Sequence, residues 1–227
     1  MKESQIHRRI TIVLQLILLL EVIVALWNQQ WFTATITTGI ILVTLAPFVL
    51  AKFFHVYIPP IFALMAIAFI FAALFLGEIR DYYTRFWWWD MALHTTSGFL
   101  LGIIGFLMVH ILNETEEIGL HMKPGFVAFF AFLFAVGFGV IWEIFEFTMD
   151  SLFGMNMQKA MLGDPSGLTD TMWDLIVDAV GALIITIIGY FYIKKGKKAS
   201  FLERWVTVFV RSNPRMFKRR KNRKNRF

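Results

Sequence analysis

Six apolar runs, each close to twenty residues and bounded by short polar stretches, dominate this chain: about 10–27, 33–51, 58–77, 91–112, 125–149 and 171–193. Each has the length an α-helix needs to cross the hydrocarbon of a bilayer. Hydrophobic residues make up 58% of the chain and mean hydropathy is +0.64. A soluble domain of this size has no interior large enough to hide that surface. The predicted fold class is therefore all-α: an integral membrane bundle of about six transmembrane helices over residues 1–193. A basic tail with an amphipathic start follows over 194–227. The chain contains no cysteine, which excludes disulfides, thiolate metal sites and thiol catalysis. The first run is long, contains Glu21 and lacks a small-residue cleavage site, so it reads as a span and not as a cleavable signal.

The net charge of +6 conceals two opposite regions. The first 193 residues hold 8 basic and 15 acidic residues, whereas 14 basic residues and one acid follow from Lys194 onward. Lysine and arginine placement sets the expected orientation. Lys2, Arg8 and Arg9 precede the first span and the basic tail follows the sixth, so the positive-inside rule puts both termini in the cytoplasm. The 113–124 loop, with Glu114, Glu116 and Glu117, then falls inside as well. Trp27, Trp31, Trp87, Trp88, Trp89, Trp142 and Trp173 fall near the outer interface, where such rings anchor, and Trp205 near the inner one.

This topology gathers acids at one depth. Asp90 and His94 open the fourth span, Glu143, Glu146 and Asp150 close the fifth, and Asp170, Asp174 and Asp178 open the sixth. Spacings of three and four put each set on one helix face. A charge inside a bilayer costs roughly 2.5–3.5 kcal/mol on insertion scales, so a cluster of this size needs compensation. One solution is a bound cation. Carboxylates with one histidine suit Mg²⁺, Mn²⁺ or Zn²⁺. The other is protonation, which gives carboxyl–carboxylate pairs. Asp90, His94, Glu143, Glu146, Asp174 and Asp178 are the candidate metal ligands, with Asp178 as ligand or as support to one. Glu146 is the candidate general base toward a metal-bound water.

Blander readings stand beside these. The whole set also fits a solvated vestibule of ion pairs and caps. Asp150 and Asp170, at span ends, read as caps or interface residues, and Asp164, in Gly163-Asp164-Pro165-Ser166-Gly167, as a turn residue. Arg80 and Arg85 are available to pair with acids. Glu21 either pairs with a neighbouring helix or joins the site. Ser97 reads as a helix–helix hydrogen bonder ahead of a nucleophile. His55, His110 and His121 fall at interfaces. Small residues continue the polar faces through Gly98, Gly102 and Gly105, through Ala131, Ala135 and Gly139, and from Asp178 to Ala182. They predict tight packing deeper in the membrane and an opening toward the acidic end. The 150–170 loop is apolar and reads as an interfacial anchor or a lid. Phe201, Trp205, Val208 and Phe209, with Arg204 and Arg211, predict an interfacial amphipathic helix. The basic run 215–227 is expected to meet anionic headgroups, with membrane lipids as the partner and no nucleic acid.

The segments Trp89-Asp90-Met91-Ala92-Leu93-His94, Trp142-Glu143-Ile144-Phe145-Glu146 and Asp170-Thr171-Met172-Trp173-Asp174, in this order, resemble the YjdF-like family of bacterial inner-membrane proteins. The resemblance covers roughly residues 60–193. It implies a multi-pass protein of the bacterial inner membrane and supplies no activity.

The leading expectation is an integral-membrane metal-binding protein, an enzyme on a lipid or lipid-linked substrate. A cation- or proton-coupled transporter and a non-catalytic scaffold are the alternatives. A transporter needs polar residues on through the membrane, and below the acids the stripe is small and apolar apart from Thr186.

Overall fold

Each long apolar run is helical. The computed structural model of the protein describes residues 2–114, 122–195 and 201–213. Its helices are α1 (Lys2–Trp27), α2 (Trp31–Phe53), α3 (Pro60–Ile70), the short α4 (Tyr82–Arg85), α5 (Trp89–Glu114), α6 (Pro124–Phe153), α7 (Leu168–Lys195) and α8 (Phe201–Ser212). Among the described residues, six helical stretches are long and apolar enough to cross a membrane: Gln5–Trp27, Trp31–Phe53, Pro60–Ile79, Trp89–Val109, Pro124–Phe153 and Leu168–Lys194. The fold is an all-α membrane bundle. Glu116, Glu117, His121 and the basic run 215–227 lie outside the described residues.

Helices outrun the apolar runs because hydropathy fades before the backbone stops. α6 continues past residue 149 to Phe153, where Gly154 takes φ 63° and ends it. α7 starts after Gly167, at φ 78°. α1 and α2 end less conventionally. Gln29 (φ 58°) and His55 (φ 54°) occupy the left-handed position that glycine usually fills. Behind them Gln30 N–H reaches the Ala25 carbonyl at 2.8 Å and Val56 N–H the Ala51 carbonyl at 2.9 Å. The third span changes pitch, since α3 continues as a π-helical stretch over Phe71–Ile79.

The chain folds into two compact units, residues 1–93 with Arg211–Asn213, and the remainder from His94 onward. In the first unit α1, α2, α3 and the π stretch pack on one another, around Leu18, Ile40 and Phe75. Polar ties cross this core. Gln15 Nε2 donates to Thr44 Oγ1 at 2.6 Å, joining α1 to α2. Glu21 pairs with Arg80, which also lies over the Phe75 ring. The open choice for Glu21 resolves in favour of a neighbouring element, and Arg80 is engaged there. Asn213, just past α8, donates from Nδ2 to the Tyr57 carbonyl at 2.8 Å. It accepts from Tyr57 N–H through Oδ1 at 2.6 Å. In the second unit α6 and α7 pack against each other, and α5 presses its glycines onto both.

Candidate functional site

Three helices bring polar side chains to one end of the second unit. α5 begins there, α6 ends there and α7 begins there. Within about three turns of these ends lie Asp90 and His94 on α5, Glu143 and Glu146 on α6, and Asp170, Asp174 and Asp178 on α7. Asp90 and Asp170 stand in first turns, where the positive end of the helix dipole favours a carboxylate.

His94 is the hub. Its Nδ1 lies 3.2 Å from Asp178 Oδ2. Its Nε2 lies 3.9 Å from Glu143 Oε1 and 3.9 Å from Asp174 Oδ2. In a neutral ring facing the Asp178 carboxylate, Nδ1 carries the proton and donates it. The Nε2 lone pair then points toward Glu143 and Asp174. Asp178 is itself held. The Ser97 hydroxyl contacts Asp178 Oδ1 and lies 2.8 Å from the His94 carbonyl, donating its single proton to one of them at a time. Ser97 thus joins α5 to α7, the role its position in the sequence predicts. Gly139 of α6 leaves the room that the Asp178 carboxylate occupies, since a Cβ there would meet Oδ2 at 2.5 Å.

Asp90 is one turn ahead of His94 on α5. Glu146 follows Glu143 by three residues on α6, and its Oε1 accepts from Trp142 Nε1–H at 2.8 Å. The structure brings His94, Glu143, Asp174 and Asp178 together, keeps Asp90 on the His94 face, and gives Glu146 its own support.

The deeper members of the cluster are buried. Relative exposure is 0% for Asp174, 1% for Asp170 and Asp178, 4% for Glu143, 7% for His94 and 8% for Glu146. Asp90, at the start of α5, is half-buried. The backbones of α5 and α7 meet at the depth of the site, with Gly98 against the Asp178 backbone and Gly181 against the Thr95 carbonyl. Packing also continues deeper, where Gly105 faces Ala131 and Phe134. Gly181 belongs to no small-residue stripe predicted from the sequence, although it stands three residues past Asp178, on the same face.

Three acids, Asp170 among them, build the connection between α6 and α7. Asp150 accepts Met157 N–H at 2.7 Å and Gln158 N–H at 2.9 Å. Buried Asp170 accepts Lys159 N–H at 2.6 Å. At these two span ends both carboxylates staple the loop. Asp164 accepts Ser166 N–H at 2.9 Å, an Asx turn, and receives both N–H and hydroxyl of Thr169 at 3.0 and 2.8 Å. Donors on Ser166, and then on Thr169, hold its carboxyl well below the usual carboxylate range. Lys159, which carries the cation of this loop, has no spacing signal in the sequence; its N–H holds Asp170 and its Nζ reaches the Asn156 carbonyl.

Over residues 6–195 the chain matches a family described as predicted membrane protein (DUF2238). An uncharacterized protein of Thermotoga maritima is 34% identical over 146 residues, which cover 64% of this chain and 70% of the relative. No solved structure matches. The family match runs from the first span-length helix to the last and contains every residue of the cluster. The chain therefore belongs to the DUF2238 family of predicted membrane proteins.

Proposed function

We propose that this protein is a divalent-metal-binding enzyme of the bacterial inner membrane, acting on a lipid or lipid-linked substrate. His94, Glu143, Asp174 and Asp90 are its ligands. Asp178 orients His94 from behind, and Glu146 is the general base. The observation that carries the reading is the imidazole of His94, clamped at Nδ1 by a carboxylate and facing two more at Nε2. A carboxylate behind a ligating histidine fixes its tautomer and raises its basicity. Oxygen and imidazole donors suit Mg²⁺, Mn²⁺ or Zn²⁺. Acids this deeply buried stay ionised only with compensation, and a divalent ion supplies two charges at one point. Bound there, the metal would lower the pKa of a water molecule. Glu146, whose Oε1 accepts from Trp142 Nε1–H, is the base that would take the proton. With both termini cytoplasmic, the site faces the extracytoplasmic side. The three quoted motifs fit the YjdF-like group within this reading.

A proton- or cation-coupled transporter has less support. Thr186 is buried below the acids, but its hydroxyl donates to the Leu183 carbonyl of its own helix at 3.1 Å.

Elemental analysis of protein purified with each metal supplied tests the proposal. About one ion per chain is expected. Glu143→Ala and Asp174→Ala should lose it, and Asp178→Asn should weaken it roughly 10–100-fold, as supporting residues do. A wild-type protein that retains none of the three metals sinks the proposal.

A further inference from the structure

The connection between α6 and α7 exposes Met155 and Leu162 alongside Asn156 and Ser166, and hydrogen bonds hold its partly buried residues. Asp150 holds Met157 and Gln158, Asp170 holds Lys159, and the Gln158 side chain donates to Thr171 Oγ1 at 2.7 Å. Gly167 packs so closely on Gln158 that a Cβ would fall 2.6 Å from the Gln158 Cβ. Between these ties, Met161 and Asp164 exchange backbone hydrogen bonds of 3.1 and 2.9 Å across Leu162 and Gly163. Both central residues have positive φ, the two-residue turn that usually takes Asn-Gly. Here its first position is a leucine, 81% exposed at the tip. Leu152, Phe153 and Leu168, where the loop leaves α6 and enters α7, are exposed too.

A single exposed leucine is ordinary, but one held outward beside a continuous apolar surface is placed to meet an apolar phase. The exposed face of α6 supplies the continuity: Ile141, Ile144 and Phe147 lead along the span toward Phe153. In a membrane protein that face meets acyl chains. We propose that loop 154–167 is a fixed interfacial anchor, with Leu162, Leu152 and Phe153 seated at the headgroup–acyl boundary of the adjoining leaflet. The loop does not open and close as a lid. It holds the polar end of α6 and α7 at headgroup depth, whatever that site binds.

The chain lacks cysteine, so Leu162→Cys gives a single position for a nitroxide label. Ser166→Cys, exposed on the same loop, is the aqueous reference. In phosphatidylethanolamine–phosphatidylglycerol vesicles, the label at 162 should collide with oxygen in preference to a water-soluble nickel chelate, and the label at 166 should show the reverse. Phe153→Cys should read as 162 does, and serves if the turn variant does not fold. Nickel access at 162 and 153 equal to that at 166 overturns the proposal in favour of a solvated loop. Dipolar broadening at 162 that vanishes on dilution with unlabelled protein overturns it in favour of a second copy. A change in depth on adding Mg²⁺ or Zn²⁺ overturns it in favour of a lid. None of these readings depends on the metal analysis.

Discussion

At the scale of single residues, His94 is informative because its two nitrogens have different company. One faces Asp178, which Ser97 holds; the other faces Glu143 and Asp174. Spacing alone marks these residues, since an ionisable group one turn from another inside an apolar run is costly unless used. Asp150 and Asp170 were less legible. At a span end, a carboxylate that staples a loop looks the same in sequence as one that caps a helix. The glycines separate in the same way. At Gly98 a Cβ meets the Asp178 backbone, which has no rotamer to yield, whereas Gly137 faces open space. Gly98→Ala should lower stability by about 1–3 kcal/mol or more through overpacking. Gly137→Ala should leave it unchanged or raise it by up to about 1 kcal/mol through helix propensity. Thermal unfolding in detergent measures both, and equal effects would contradict the assigned packing.

At the scale of elements, the spans were visible as apolar runs, but the pitch within one of them was not. The stretch Phe71–Ile79 is hydrophobic on every side apart from Glu78, so no periodicity distinguishes a π from an α turn. Gly77 is the one local mark, because its missing Cβ admits the Tyr83 ring. The α6–α7 loop carries a pH dependence. Asp164 has a folded pKa held below its unfolded value by the Ser166 and Thr169 donors. Its contribution is therefore complete above the ordinary carboxylate pKa of about 4 and is lost as pH falls below it. Backbone amides of Ser166 and Thr169 should lose hydrogen-exchange protection between about pH 4 and pH 2, relative to amides elsewhere in α7. Protection that stays level across that window, or that an Asp164→Ala variant retains, would refute this role.

At the scale of the whole molecule, charge and hydropathy set the architecture. An acidic, apolar stretch of 193 residues precedes a tail in which 14 of 15 charged residues are basic. This asymmetry made the membrane class and the span count legible, because both depend on runs of residue types along the chain. The two-unit division depends on long-range packing that no local pattern encodes. The orientation proposed for the site follows from the basic residues: both termini should be cytoplasmic. A fluorescent protein fused after residue 227 should be bright in cells and alkaline phosphatase at the same point inactive; the opposite pair would invert the site. The paired hydrogen bonds between Asn213 and Tyr57 add a matter of timing. The two residues are 156 positions apart, and a chain is synthesised from its N-terminus at roughly 5–20 residues per second. For several seconds, therefore, the first unit exists without its final clasp. It is completed only after the ribosome has made all of α5, α6 and α7.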